Sequence, residues 1–225
     1  MRFHSIAIDG PSGAGKSTLA RKLASELGFL YVDTGAIYRT VALNAKRLGA
    51  DPASQEQVVP LLKDMDIRMA YGEDGLQHMY LGQEDVSDAI RVHEVSQCAS
   101  LVAAIPEVRS FLLDYQRRLA RENHVVMDGR DIGTVVLPDA DVKIFLTASA
   151  EVRARRRLLE LEQRGQQADF ETILRDIEQR DEQDRTRKIA PLRQAEDAVL
   201  LDTSELDLQE SLQAMLNITR ERLTL

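Results

Sequence analysis

The sequence predicts an α/β protein, a five-stranded parallel sheet flanked by helices and carrying a small antiparallel-strand insertion. Three observations support this reading. Short apolar runs alternate with segments of helical spacing from the start of the chain. A glycine-rich stretch, Gly10-Pro11-Ser12-Gly13-Ala14-Gly15-Lys16-Ser17-Thr18, separates the first apolar run from the first helical segment. In the middle of the chain the apolar period changes to two, as expected of a half-buried hairpin.

Composition sets the limits within which those elements are read. The chain has 225 residues, 29 Lys+Arg against 37 Asp+Glu and a net charge of −8, with 44% hydrophobic residues. That hydrophobic share supports a sizeable core and excludes a largely disordered chain. The acidic balance argues against a general nucleic-acid or anionic-membrane binder, which needs excess cations to displace counterions from phosphate. Cys98 stands alone, so no internal disulfide is expected, and Asp9 breaks the N-terminal apolar stretch before it reaches signal length. No apolar run is long enough to span a bilayer. The expected protein is a cytoplasmic monomer.

The first run, Phe3 to Ile8, closes on Asp9-Gly10, and helical spacing resumes at Leu19, Ala20, Leu23, Ala24 and Leu27 before a C-cap glycine, Gly28. Phe29 to Val32 is a second strand, and Ile37 to Leu48 a second helix stopped by Gly49 and Pro52. Ile67, Met69 and Tyr71 then alternate with polar neighbours, as do Leu76, His78 and Tyr80 beyond Gly72-Glu73-Asp74-Gly75. This hairpin places an insertion at residues 62–100, within one domain whose core is 1–61 and 101–225. A helix starts at Pro106 and runs to about Glu122. Strands follow at His124 to Met127, Val142 to Leu146 and Ala198 to Leu201, and helices at Glu151 to Gly165, Phe170 to Arg187 and Leu208 to Leu223.

The glycine-rich stretch matches G-x-x-x-x-G-K-[ST] in the context the motif requires, after a strand and at the opening of a helix. Its glycines let the backbone wrap a polyphosphate, and Lys16 reaches the β- and γ-phosphates. The hydroxyl of Ser17 suits Mg²⁺ bound with ATP. Thr18 offers a second hydroxyl, or bonds its own helix. A phosphate-binding loop leaves the reaction open. A guanine-specific switch would carry N-K-x-D, and the chain has no Asn-Lys pair. A motor would end a hydrophobic strand in tandem acids, whereas Asp128 is followed by Gly129. The size fits a small-molecule kinase best; a nucleotide-dependent switch protein is the alternative from another class.

Arginine outnumbers lysine by 23 to 6, and arginine grips phosphate oxygens bidentately where lysine acts as a point charge. Asp128-Gly129-Arg130-Asp131 falls at the carboxyl end of a core strand, where open α/β sheets bind ligands. There Arg130 suits a phosphate, and Asp131 an exocyclic amine such as cytosine N4. Asp33-Thr34-Gly35-Ala36 with Arg39 repeats the combination after the second strand, while Tyr38 reads as core. Spacing puts Arg180, Asp184 and Arg187 on one helix face, aimed at a ligand or engaged in salt bridges. Arg153, Arg155, Arg156 and Arg157 lie where a lid would close, or form a solvated face. His4, His78, His93 and His124 lack metal-ligand spacing.

Taken in order and at these distances, IDGPSGAGKST, DTGAIYR, EVSQCASLVAAIPEVR, DGRDIGT, and RDEQDRTR followed by APL resemble bacterial-type cytidylate kinases across essentially the whole chain. The loop alone is generic; DTGAIYR, DGRDIGT and the late RDxxDRxR together are specific. The resemblance implies phosphoryl transfer from ATP, with Mg²⁺, to CMP or dCMP by direct in-line attack. It implies that Thr34, Ser100, Arg109 and Asp131 surround the cytosine, that Arg39, Arg130 and Arg187 hold the phosphate, and that Arg180 and Asp184 contact the sugar. Lys16, Arg130 and Arg187 are then the catalytic cations. Residues 151–168 form a short lid carrying Arg153 and Arg157. Relatives often read G-K-G-T where this chain has Gly15-Lys16-Ser17-Thr18, a departure that adds a hydroxyl.

Overall fold

The structure is a computed structural model that describes residues 2–72, 76–163 and 165–223. Residues 73–75 of the expected hairpin turn and residue 164 of the expected charged helix lie outside the described residues. In chain order the elements are β1 (Ser5–Asp9), α1 (Lys16–Leu27), β2 (Leu30–Asp33), α2 (Thr34–Arg47), α3 (Gln55–Val58), β3 (Ile67–Tyr71), β4 (Gln77–Leu81), β5 (Glu84–Asp85), α4 (His93–Val102), α5 (Pro106–Glu122), β6 (Val125–Gly129), β7 (Val142–Thr147), α6 (Ala150–Gln163), α7 (Phe170–Thr186), β8 (Val199–Asp202) and α8 (Leu208–Arg222). The chain divides into two compact units, residues 1–31 with 123–225 and residues 32–122.

The first unit is built on a five-stranded sheet in the order β2-β6-β1-β7-β8. β1 pairs in parallel with β6 on one side and β7 on the other, and β7 pairs in parallel with β8. Strands covered on both faces need continuous apolar runs; accordingly Ile6, Ala7, Ile8, Val125, Val126 and Met127 are all fully buried. One cluster joins Ile6, Ile8, Ile144 and Leu146 of the sheet to Leu19 and Leu23 of α1 and Met215 and Leu216 of α8. α8 is started by a capping box between Asp207 and Glu210. α6 and α7 share a small core of their own, in which Ala154 meets Ile173 and Ile177.

Parallel pairing brings the strand ends into line. Ile8 is opposite Asp128, and Asp9 opposite Gly129 on β6 and Phe145 on β7. Both β1 and β6 run further than the apolar patterns predict, carrying Asp9 and Asp128 into the ladder as buried acids. Gly10 follows at φ 151, and a Cβ there would lie 1.9 Å from the Leu146 carbonyl oxygen, so only glycine lets the chain leave the sheet at this point.

In the second unit, α2 begins at Thr34, earlier than apolar spacing predicts, because the Asp33 carboxylate caps it by accepting from the Ala36 N–H at 2.9 Å. The expected hairpin is present, with Met69 opposite Met79. Within the 62–100 stretch β5 was not legible, nor was α4, which runs past it to Val102. β5 is a two-residue exposed acidic strand with no apolar alternation, and α4 starts without a side-chain cap. At the other end of the chain, α7 stops at Thr186, so Arg187 stands at its C-cap with ψ 137 and does not continue the helical face of Arg180 and Asp184. The turn that ends it bonds the Leu192 N–H to the Asp184 carbonyl at 2.7 Å and passes through Ala190 at φ 48. No helix among the described residues is long and apolar enough to cross a membrane.

Candidate active site

The loop between β1 and α1 runs into a helix N-terminus that no side chain caps. Gly15 caps α1 in the left-handed conformation, without a side-chain hydrogen bond and with no acid in the first turn, leaving the positive end of the helix for an anion. Lys16 is buried, and its Nζ donates to the Pro11 carbonyl at 2.6 Å, closing the loop on itself. Burial and the neighbouring Arg130 guanidinium lower its pKa to about 7, against the pull of Asp128, Asp184 and Asp9. Thr18 and Ser17 are exposed.

Ser17 Oγ donates to Asp128 Oδ2 at 2.9 Å, and the Tyr31 hydroxyl donates to Asp128 Oδ1 at 2.9 Å. A hydroxyl and a buried carboxylate at the mouth of a phosphate loop are hard oxygen donors, which fit a Mg²⁺ ion that takes its remaining ligands from phosphates and water. Among the described residues no group of three or more His, Cys, Asp or Glu gathers to hold a metal. The sequence places Asp128 in the DGRD turn at the carboxyl end of a core strand but gives it no role of its own. The usable signal was its place at the end of an apolar strand neighbouring the loop strand.

The DGRD turn and the end of α7 form an ion-pair cluster in the same unit. Arg130 Nε donates to Asp184 Oδ2 at 2.7 Å, and Arg187 Nη2 lies 3.4 Å from Asp131 Oδ1. Burial pushes the Asp184 pKa up, but Arg130, Arg180 and Arg187 outweigh it and hold the carboxyl below its ordinary value. The Ala190 carbonyl accepts from Arg187 Nε at 2.5 Å, so the turn that expels Arg187 from the helix also orients its guanidinium. The structure therefore joins Arg130, Asp131, Arg180, Asp184 and Arg187, all chosen from the sequence.

The remaining predicted residues belong to the second unit. Thr34 is buried at the start of α2. Arg39 Nη2 donates to Asp33 Oδ2 at 2.9 Å, so the acid that caps the helix also holds this arginine. Asp33 is fixed in turn by Gln77, whose Oε1 accepts from the Asp33 N–H at 2.7 Å. Arg109 is buried, with its guanidinium 5.8 Å from the Tyr38 ring centre, and Ser100 is half-buried on α4.

The arginines of α6 divide by environment. Arg153, only 4% exposed, donates to the Ser12 carbonyl at 2.9 Å, the Ala148 carbonyl at 2.9 Å and Asp181 Oδ2 at 2.6 Å. It clamps the phosphate loop to α6 and α7 from inside, and its Cβ lies 3.4 Å from where a Cβ on Gly13 would project. Arg156 is tied to the Thr203 carbonyl at 2.7 Å, and Arg157 reaches Glu160 at 3.1 Å on the surface. Arg155 is exposed.

Two measurements check this geometry. Arg153→Ala leaves Asp181 as a buried charge without its partner, and is expected to lower unfolding free energy by about 3–5 kcal/mol in urea; a loss below about 1 kcal/mol would contradict the clamp. Lys16 is depressed to about 7, so at pH 8 it is largely neutral, and an arriving polyphosphate draws a proton onto it. Calorimetric binding of ATP at pH 8 in buffers of different ionisation enthalpy is expected to show net proton uptake; release, or no exchange, would contradict it.

Comparison with known proteins shows the family to which the chain belongs. A family model described as cytidylate kinase matches residues 6–221. A cytidylate kinase of Caldicellulosiruptor bescii is 49% identical over 218 residues, covering 97% of this chain and 96% of that protein. One of Carboxydothermus hydrogenoformans is 48% identical, covering 95% and 96%. Among solved structures, an uncharacterized protein from Eubacterium ventriosum matches with TM-score 0.55 at 14% identity, covering 98% of this chain and 100% of that one. A shikimate kinase from Bacteroides thetaiotaomicron matches with TM-score 0.50 at 16% identity, covering 99% of each; these two show the fold alone. The chain belongs to the cytidylate kinase family.

Proposed function

We propose that this enzyme transfers the γ-phosphoryl group of ATP to CMP or dCMP, giving ADP and CDP or dCDP. The observation that carries the reading is the pairing, in one unit, of a lysine-closed phosphate loop with the cluster of Arg130, Asp131, Asp184 and Arg187 at the carboxyl edge of the sheet. The loop suits the donor, and the cluster suits a small anionic acceptor with a base edge to be read.

The acceptor phosphate is already an anion, so no protein base or nucleophile is required. An acceptor oxygen attacks the γ-phosphorus in line, the bond to the β–γ bridging oxygen breaks, and ADP leaves. The protein contributes position and charge. Lys16 lies against the β- and γ-phosphates, with the loop N–H groups around them. Ser17 and Asp128 are the residues that would hold Mg²⁺, which would supply charge neutralisation for the transferred group. In the first unit, Arg130 and Arg187 bind the acceptor phosphate, Arg180 and Asp184 the sugar, and Asp131 the cytosine amine. In the second, Arg39 is assigned to phosphate, and Thr34, Ser100 and Arg109 to the base, within a monophosphate-binding region that includes residues 62–100. Residues 151–168 act as a lid, with Arg157 on its surface and the buried Arg153 anchoring it to the phosphate loop. A cytoplasmic location, where ATP is supplied, accompanies this reading.

Asp131 gives the direct test. Asp131→Asn replaces one acceptor oxygen with a donor facing the cytosine amine, and is expected to lower kcat/KM for CMP roughly ten- to hundredfold while changing UMP far less. Competition assays with CMP, UMP and AMP measure it. An unchanged preference would remove Asp131 from base recognition.

A further inference from the structure

We infer that Asp9 is a positioning residue for the acceptor base, acting through the backbone of the DGRD turn so that Asp131 keeps its carboxylate for the substrate. The inference rests on the reading of Asp131 given above. Asp9 is the last residue of β1 and is 5% exposed. Both of its oxygens are committed: Oδ1 accepts from the Ile132 N–H and Oδ2 from the Gly133 N–H, each at 2.7 Å. These N–H groups open the wide helical turn Ile132–Val136.

An aspartate immediately before such a turn ordinarily caps it with its own side chain. Asp131 occupies that place. Its carbonyl accepts from the Val135 N–H at 2.9 Å, as an N-cap carbonyl should, yet its side chain makes no capping bond. The carboxylate turns instead toward Arg187. The capping task is done from a neighbouring strand by Asp9. The turn also packs closely on β7: a Cβ on Gly133 would lie 3.1 Å from Lys143 Cδ and 3.4 Å from Asp9 Oδ2.

A buried carboxylate is costly to keep for capping alone. Burial raises the Asp9 pKa to about 6, with the two N–H groups pulling it down. The position explains the use of the acid. Asp9 directly precedes Gly10, so one residue ties the root of the phosphate loop to the turn that presents Asp131, and the donor and acceptor sides of this unit share a fixed point.

The test is a double-mutant cycle on steady-state kinetics. Asp9→Asn keeps the shape but offers an N–H to one of the two N–H groups it must accept. It is expected to raise KM for CMP by about tenfold or more, leaving KM for ATP within about threefold. In an Asp131→Asn background the same substitution should add less than about threefold, because both act on one contact. Equal rises in both KM values, or full additivity with Asp131→Asn, would overturn the proposal. If Asp131→Asn alone leaves base preference intact, the base assignment fails and the Asp9 role falls with it. Should Asp9→Asn not fold, Asp9→Glu keeps the charge and both acceptor oxygens but lengthens the side chain, and so displaces the same cap. A raised KM for CMP with KM for ATP retained supports the proposal, and an unchanged KM for CMP overturns it.

Discussion

The constraint on which the first unit depends is that charges buried at the carboxyl edge of a parallel sheet must be held by one another, by hydroxyl groups or by the backbone. Asp9 is held by two N–H groups, Asp128 by Ser17 and Tyr31, Arg130 by Asp184, and Arg153 by Asp181 and two carbonyls. Leaving such a group unpaired costs far more than the net gain from the pair. Each partner therefore fixes the geometry of the next, and the phosphate loop, the DGRD turn and the end of α7 have little freedom to drift apart. Functional placement and stability draw on the same contacts.

Preorganisation of this kind suits phosphoryl transfer, where the protein does little covalent chemistry and catalysis rests on position and charge. Lys16, its pKa lowered to about 7 by burial and by Arg130, rests on the Pro11 carbonyl and is held inside the phosphate loop. Arg187 leaves its helix one residue past Thr186 and is caught by the Ala190 carbonyl. The non-glycine residue at φ 48 there is a local cost of the sort that persists where surrounding contacts demand it.

Much of the fold was legible because its elements obey one period each. The apolar runs of β1, β6 and β7, the helical spacing of α1 and the alternation of β3 and β4 all read directly. What escaped was set by neighbours. Asp9 and Asp128 break the apolar pattern and so read as strand ends, although parallel pairing carries them into the sheet. Asp33 pulled the start of α2 forward, and β5, two exposed acids, has no pattern of its own. At the site, local motifs pointed to the DGRD and RDxxDR residues. The contacts that hold the site together escaped, because pairs such as Arg153 with Ser12 or Asp9 with Gly133 are separated by more than a hundred residues, or, like Asp181 with Arg153, hide in a charged helical stretch.

The central claim is that the loop and the arginine–aspartate cluster serve one transfer to a cytidine monophosphate. Its most direct test is ADP formation from ATP and Mg²⁺ with CMP, dCMP, UMP, AMP, GMP and shikimate offered separately against a control without acceptor. Strong stimulation by CMP and dCMP, well above the others, is the predicted result. Stimulation by none of them, or a preference for shikimate or a purine nucleotide, would contradict it.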